Sequence, residues 1–591
     1  MKGKASALGR PVGLLNARVI TIDKQDRVCQ AVGIDRARIA AVGSDAEVVA
    51  RLGSSAILFD CGGRVIMPGM VDAHAHLDRE GLKDSLPSFA GAKSVEDVLD
   101  RIADLVRQKQ PGEWIVTMPV GEPPFYDPRA KLAEGRWIDR ADLDHVAPHN
   151  PVYIRPAWGW WHGVPPLVSV ANSAALRAIG LSAGGVAEDA ITLERDGKGE
   201  LTGRIFEDMF MPLMELTHLL ESCRFTREQR AQAMRRSLKK YNAAGTTGIF
   251  EGHGVAREVM DIYRDLDEKS ELTVRAHLVR SVSWFDVKTP RLATFLQSLD
   301  APMREAISEF LVIDDLEVEL GHDPLDEIRA KAHPYTGWAG FYYNSGLPRD
   351  DLQQLLLELL EKNLRPISLG VNIIDLYWRV ASARPPVGRR WVVGHVGALT
   401  DDDIRRIRDL GACVTTHTNR FIYRQGCGFS GGPCPTGRSK NPPPRPATEL
   451  VPLRSLLDAG VVVGLGSDNA PVSLFYPIWE AVARRCATCG RRIGSEESIT
   501  RMEALRAATL GGAYLCFDEE NRGSLEVDKL ADLILLDADP LMVSEDSLRD
   551  ITADMTMIGG RVVHDHRNEF NLEMKPDGTR EPNRVGESAS Q

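Results

Sequence analysis

No apolar run in this chain is long enough to cross a bilayer as a helix. Its opening, "MKGKASALGRPVGLLNARVITID", has no long apolar core ahead of a small-residue cleavage site, so neither a membrane span nor a secretory signal is expected. Basic residues are outnumbered, 72 Lys and Arg against 83 Asp and Glu, for a net charge of −11. With no basic patch interleaved with aromatics, nucleic acid and anionic membrane are not expected partners. Cysteines number nine, an odd count at no framework spacing, which predicts reduced thiols in a cytoplasmic protein. The one close pair, "CATC" at Cys486–Cys489, stands in a helix-like stretch without a second pair. It reads as a chance neighbourhood rather than a zinc knuckle. What remains is a globular composition, 43% hydrophobic and 26% charged, on 591 residues, too many for one small core, so two domains are expected.

The two ends of the chain share a style. Residues 12–66 carry short branched runs cut by Gly, Asp and Asn turns, and the same pattern returns in "GSLEVDKLADLILLD" and "MTMIGGRVVHD". Residues 1–66 and 520–566 are therefore expected to build one β-sandwich, followed by a polar tail at 567–591. Between them, residues 67–519 alternate strand-length apolar runs with helical periods such as "VEDVLDRIADLVRQ" and "DDDIRRIRDLG". That alternation predicts an α/β fold, a TIM-like (β/α)8 barrel with insertions.

The strand candidates end in polar residues. In "MPGMVDAHAHLD", Met67 to Asp78, a strand would project His74 and His76 to one face, half of a tetrahedral metal site. Further candidate strands are "WIVTMPVG", "PVYIRPAWGWWH", "TTGIFEGHG", "LTVRAHLV", "LEVELGHD", "RPISLGVN", "RWVVGHVG", "ACVTTHTN" and "VVVGLGSDN". These exceed eight, so some must lie outside a barrel. His74, His76, His253, His322, His395, His417 and Asp468 all fall at such ends, where barrel active sites are built. For His322 and His417 a purely hydrogen-bonded role is an equal alternative.

These motifs resemble the amidohydrolase superfamily. "MPGMVDAHAHL" is similar to its first-strand HxH motif, "VVVGLGSDN" to its eighth-strand Ser-Asp, and "ALRAATLGGAYLCF" with "GSLEVDKLADLILLDADP" to its closing helix and β-sandwich. "GELTGRIFED" at 199–208, "NSAAL" at 172–176 and "PLRSLLDAGVVVGLGSDN" at 452–469 resemble the branch of N-substituted formamide deformylases. The resemblance implies metal ligands at His74, His76, His395 and Asp468. It also implies one or two divalent ions, zinc being the expected one. Where the branch has a bridging lysine in strand four, this chain has Glu317, a further candidate metal ligand that can coordinate through oxygen, with Glu319 expected on the same face. Where it has a fifth-strand histidine, this chain has Leu369, which cannot ligate. His322, or His277 or His253, is a candidate for the lost nitrogen.

The implied chemistry is hydrolysis of an amide or cyclic amide C–N bond of a small, aromatic or apolar molecule. Asp468 would serve as base and then acid, and His395 as ligand or oxyanion partner. Trp161, His162 and His322 are the candidate substrate-binding residues, with Trp158, Trp160, Trp338, Phe341, Tyr342 and Tyr343 as further aromatics, any one of which could equally fill core. Residues 423–449, rich in Gly and Pro, read as a loop over the mouth, a candidate lid. A mononuclear decarboxylase or C–C bond-cleaving enzyme and a non-catalytic binding relative are the alternatives. A homo-oligomer stays open.

Overall fold

The computed structural model describes residues 10–570 except 122–125, 127–131, 158–165, 182–190, 208–211, 284–291, 293, 296–304, 322–335, 343–345, 387, 425, 430–444 and 488. Its centre is a parallel barrel. Met70–Asp72, Thr246–Val255, Arg275–Arg280, Leu311–Glu317, Pro366–Ser368, Val392–Val393, Cys413–Thr416 and Val463–Leu465 follow one another in chain order, each paired in parallel with the next. We call them barrel strands one to eight. The ring is drawn together where Ala73 N–H donates to Leu465 C=O at 3.1 Å and Asp468 N–H to His74 C=O at 3.0 Å. The strands are nearly wholly buried, as expected of parallel strands covered by helices.

Local chemistry sets the helices between them. Thr400 caps Asp401–Leu410 by accepting from Asp403 N–H, while Asp403 reaches back to the cap, and three aspartates fill the first turn. Gly411, at φ 63°, ends that helix in the left-handed conformation. The buried face is Ile404, Ile407 and Leu410, every third residue, packed on Val393 and Val414 in the main core.

Strands from both ends of the chain meet beside the barrel. Val65–Pro68 pairs antiparallel with Leu533–Leu536, which pairs with Ala553–Ile558 and, through it, Arg561–Asp565. A second sheet, in the order Arg38–Gly43, Ala31–Asp35, Val12–Leu15, Ile57–Asp60, packs against it through Val12, Leu14, Ile34, Leu533 and Met555. Burying each such side chain contributes about 1.5–3 kcal/mol.

The excess strands have a separate home. Ile115–Thr117 and Val152–Ile154, from "WIVTMPVG" and "PVYIRPAWG", belong to a five-stranded sheet with Leu167–Ala171, Ile191–Arg195 and Leu201–Glu207, inserted between barrel strands one and two. "LEVEL" is divided. Glu317 ends barrel strand four, whereas Glu319–Leu320 pairs with Gly346–Leu347 in a small separate sheet. Among the described residues no helix is long and apolar enough to cross a membrane.

Candidate active site

Five imidazoles and one carboxylate gather at the C-terminal ends of the barrel strands. His74 and His76 follow strand one, His253 lies near the end of strand two, and His395, His417 and Asp468 follow strands six, seven and eight. The Nε2 atoms of His74 and His76 are 3.1 Å apart, and those of His74 and His395 are 3.0 Å apart. Asp468 Oδ1 is 3.2 Å from His76 Nε2 and 4.0 Å from His74 Nε2. His417 packs 4.5 Å from the His74 ring and 4.6 Å from the His395 ring. His253 lies 5.1 Å from both His74 and His76, ring centre to ring centre.

The backbone is bent to make this convergence. His395 at φ 48°, Asp468 at φ 49° and Asn469 at φ 58° are all left-handed, a cost that the surrounding contacts must hold in place. Asp72 does much of that holding. It accepts from His74 N–H at 3.1 Å, Ser467 N–H at 3.0 Å and Ser467 Oγ at 2.6 Å, tying strand one to the segment that carries Asp468. Asn469 accepts from His76 N–H and Tyr241 Oη and donates to His76 C=O. Glu251 accepts from Leu77 N–H at 2.8 Å and Tyr263 Oη at 2.6 Å, and its other oxygen is 3.2 Å from His76 Nδ1. That contact leaves His76 Nε2 to face the cluster with its lone pair.

The electrostatics favour a cation. Burial is the first cause that pulls His74, His253 and His395 well below the ordinary imidazole range, and it brings His417 down to about 4. Neutral rings are thus packed with their acceptor nitrogens together. Burial pushes the Asp468 carboxyl up, but His417, His74 and His395, in the acid range where they carry protons, and Arg79 outweigh it and pull it below the usual carboxylate range. His417 Nε2 and His253 Nδ1 have no hydrogen-bond partner among the described residues. Acceptors that converge without donors are costly in a dry interior unless a cation meets them. Neighbouring ligands on a zinc tetrahedron with bonds of about 2.0–2.1 Å lie about 3.3 Å apart. The separations of His74 from His76 and His395, and of His76 from Asp468, at 3.0–3.2 Å, are near that spacing, while His74 and Asp468 stand wider, at 4.0 Å.

Some expectations change. His277 is not in the cluster; its Nε2 is 3.0 Å from Asp315 Oδ2, in a buried network with Arg365 towards the opposite strand ends. Leu369, in the position of the lost histidine, gives its backbone N–H to Glu319. Glu317 is only 1% exposed, which removes a solvent-facing strand. It lies beside Gly254 and Ser281, with Oε2 lacking a partner among the described residues. Burial, then the charge of Glu319, pushes its carboxyl well up. Trp338 is a core residue against Phe225, with Arg155 over its ring, whereas Phe341 stacks on His253 at 4.5 Å. Trp158, Trp160, Trp161, His162, His322, Tyr343 and most of the candidate lid lie outside the described residues. His253 and His417 carry more of the site than their sequence context suggested. The signal was there in the strand-end position of each.

Fold and cluster together define a class, the (β/α)8-barrel hydrolases that act on small molecules at the carboxyl mouth of the barrel. Residues 58–328 and 367–564 match the amidohydrolase family, and the chain belongs to it. The protein is accordingly a hydrolase of carbon–nitrogen bonds other than peptide bonds, in a metal-dependent family. An N-substituted formamide deformylase of Arthrobacter pascens is 26% identical over 582 residues, 93% of this chain and 98% of the relative. The putative amidohydrolase YtcJ of Bacillus subtilis is 22% identical over 513 residues, 85% and 89% of the two chains. A solved structure of an uncharacterized metal-dependent hydrolase from Pyrococcus horikoshii aligns with TM-score 0.63 at 18% identity, over 91% of this chain and 99% of the other. At that identity it bears on the fold alone.

Proposed function

We propose that the protein hydrolyses a small non-peptide amide, with one divalent ion, zinc, held by His74, His76, His395 and Asp468. His253 and His417 stand next to that set and make up the nitrogens lost at Leu369. The observation that carries the proposal is that His74 Nε2 lies 3.1 Å from His76 Nε2 and 3.0 Å from His395 Nε2, with Asp468 Oδ1 3.2 Å from His76 Nε2. When bound, such an ion acidifies water and polarises a carbonyl. The chain's own groups do the rest. Asp468, kept ionised, takes a proton at a carboxylate oxygen and returns it to the leaving nitrogen. Glu251 fixes His76 through Nδ1, and Asp72 fixes the backbone of both His74 and Ser467. Phe341, stacked on His253, closes one wall with an apolar ring and favours an apolar substituent on the substrate. Glu317, a buried carboxylate beside Gly254, the neighbour of His253 in the chain, is available to a polar substrate group or a second ion. A cytoplasmic, reduced setting completes the proposal.

The A. pascens relative supports N-substituted formamides as the first substrates to try. The test is a panel of N-substituted formamides, other small amides and cyclic amides with zinc-loaded enzyme, following amine release. Turnover of at least one class that disappears with Asp468→Asn is expected. No amine release from any class, or carbon dioxide release from a carboxylic acid panel in its place, would overturn the reading.

A further inference from the structure

The pair at Cys486 and Cys489 does not lie in a helix. The preceding helix, Phe475–Ala483, ends at Arg484 in the left-handed conformation. The chain then turns back on itself. Cys486 N–H donates to Arg491 C=O at 2.9 Å, Gly490 N–H donates to Cys486 C=O at 2.8 Å, and Arg485 bridges antiparallel to Arg492. Gly490 takes φ 66°, which lets the turn close directly after the second cysteine. A third cysteine arrives from 59 residues away. Cys427, on the short segment Gly426–Phe429 after barrel strand seven, has its sulfur 3.2 Å from that of Cys486. The sulfurs of all three lie within 4.8 Å of one another.

We propose that Cys427, Cys486 and Cys489 form a second, thiolate metal site, suited to zinc, which clamps the chain after barrel strand seven to the turn after Phe475–Ala483. A Cys-x-x-Cys turn closed by glycine, met by a third sulfur from a distant segment, is the arrangement that soft thiolate ligands use for zinc. Three thiols also exceed what one disulfide can use. Cys427 and Cys486 are each 1% exposed, while Cys489 is exposed, so a tetrahedral ion would have three sulfur corners and one corner on the solvent side. Cys489 brings its sulfur within reach of both the Cys427 and the Cys486 sulfur. Ion binding would release the thiol protons to solvent and leave three sulfur–metal bonds, with no change of oxidation state.

The clamp has a clear purpose in the fold. Ala487 N–H donates to Tyr423 C=O at 2.6 Å, so the turn is already tied to the segment that continues from His417 through the helix Thr418–Phe421. A metal at the three sulfurs would pin the far end of that segment. It would steady the strand-seven side of the mouth without touching the substrate.

The experiment is a mercurial titration of the purified holoenzyme, with a zinc indicator in solution. Mercurials displace metal from thiolates and leave imidazole and carboxylate ligands unreacted, so the outcome is independent of the histidine site. Release of about one zinc per chain is expected, rising together with the modification of these three cysteines in mass mapping. Cys489→Ser, an exposed position, should lower the released zinc to near zero. Substitution with cobalt should give a sulfur-to-metal charge-transfer band that the same variant lacks. No zinc released from the wild-type chain, or a Cys427–Cys486 disulfide in a thiol-blocked, non-reduced digest, would overturn the proposal. Should the variant fold poorly, the wild-type titration and digest decide alone.

Discussion

Replacing Asp72 by alanine removes one side chain and strands three donors. His74 N–H, Ser467 N–H and Ser467 Oγ all point at this carboxylate, and all are buried. The hydroxyl can rotate towards another acceptor, but the two backbone N–H groups cannot. A buried unsatisfied donor costs about 1–3 kcal/mol, so Asp72→Ala should destabilise the chain by about 2–6 kcal/mol. Asp72→Asn keeps one oxygen for the two N–H groups, and its amide can donate to the Ser467 hydroxyl oxygen. It should cost less than about 1.5 kcal/mol, the net worth of one ordinary hydrogen bond. Urea denaturation of the three proteins, compared through their midpoints at a shared slope, reads the difference. Bound metal is measured on the same samples, and only the alanine variant should lose it, because only there are His74 and Asp468 released. An alanine variant within about 1 kcal/mol of wild type, or an asparagine variant no better than alanine, would refute the role assigned to Asp72.

Three further outcomes are expected. Glu251→Gln should weaken metal binding about 10- to 100-fold in equilibrium dialysis while the fold persists, since Glu251 orients His76. Gly466→Ala would place a Cβ 2.6 Å from His74 Cβ and 2.9 Å from His417 Cε1, and should cost about 1–3 kcal/mol in urea unfolding together with bound metal. Asp315 is held down to about 2: burial raises it, but Arg365 and the hydrogen bond from His277 prevail. Its folded value lies below the unfolded one, so about 2 kcal/mol of stability should be present above pH 4 and vanish as pH falls towards 2, a slope that Asp315→Asn should lack.

How much of this was legible in the sequence depends on the range of the interaction. Although the strand itself stops at Asp72, short of both histidines, the HxH pair and the Ser-Asp after "VVVGL" stand out as polar residues closing apolar runs, a local pattern that the family resemblance sharpens. The barrel was legible for the same reason. Its strand count was not, because "WIVTMPVG" and "PVYIRPAWG" have the composition of barrel strands and differ only in their pairing partners. His253 showed its strand-end position in "EGHG", but nothing local told that it meets His74. The thiol cluster was missed because its third member lies 59 residues from Cys486, and no local pattern reports such a meeting. At Trp338 the core alternative holds: a large ring fills core beside Phe225, as most buried tryptophans do.

The most direct measurement of the central claim is metal content set against activity in His74→Ala/His76→Ala. The account predicts that this double variant, folded by circular dichroism, loses about one metal ion per chain and all amide hydrolysis, while it keeps the mercurial-releasable zinc of the cysteine site. A double variant with wild-type metal content and turnover would place the working site elsewhere and contradict it.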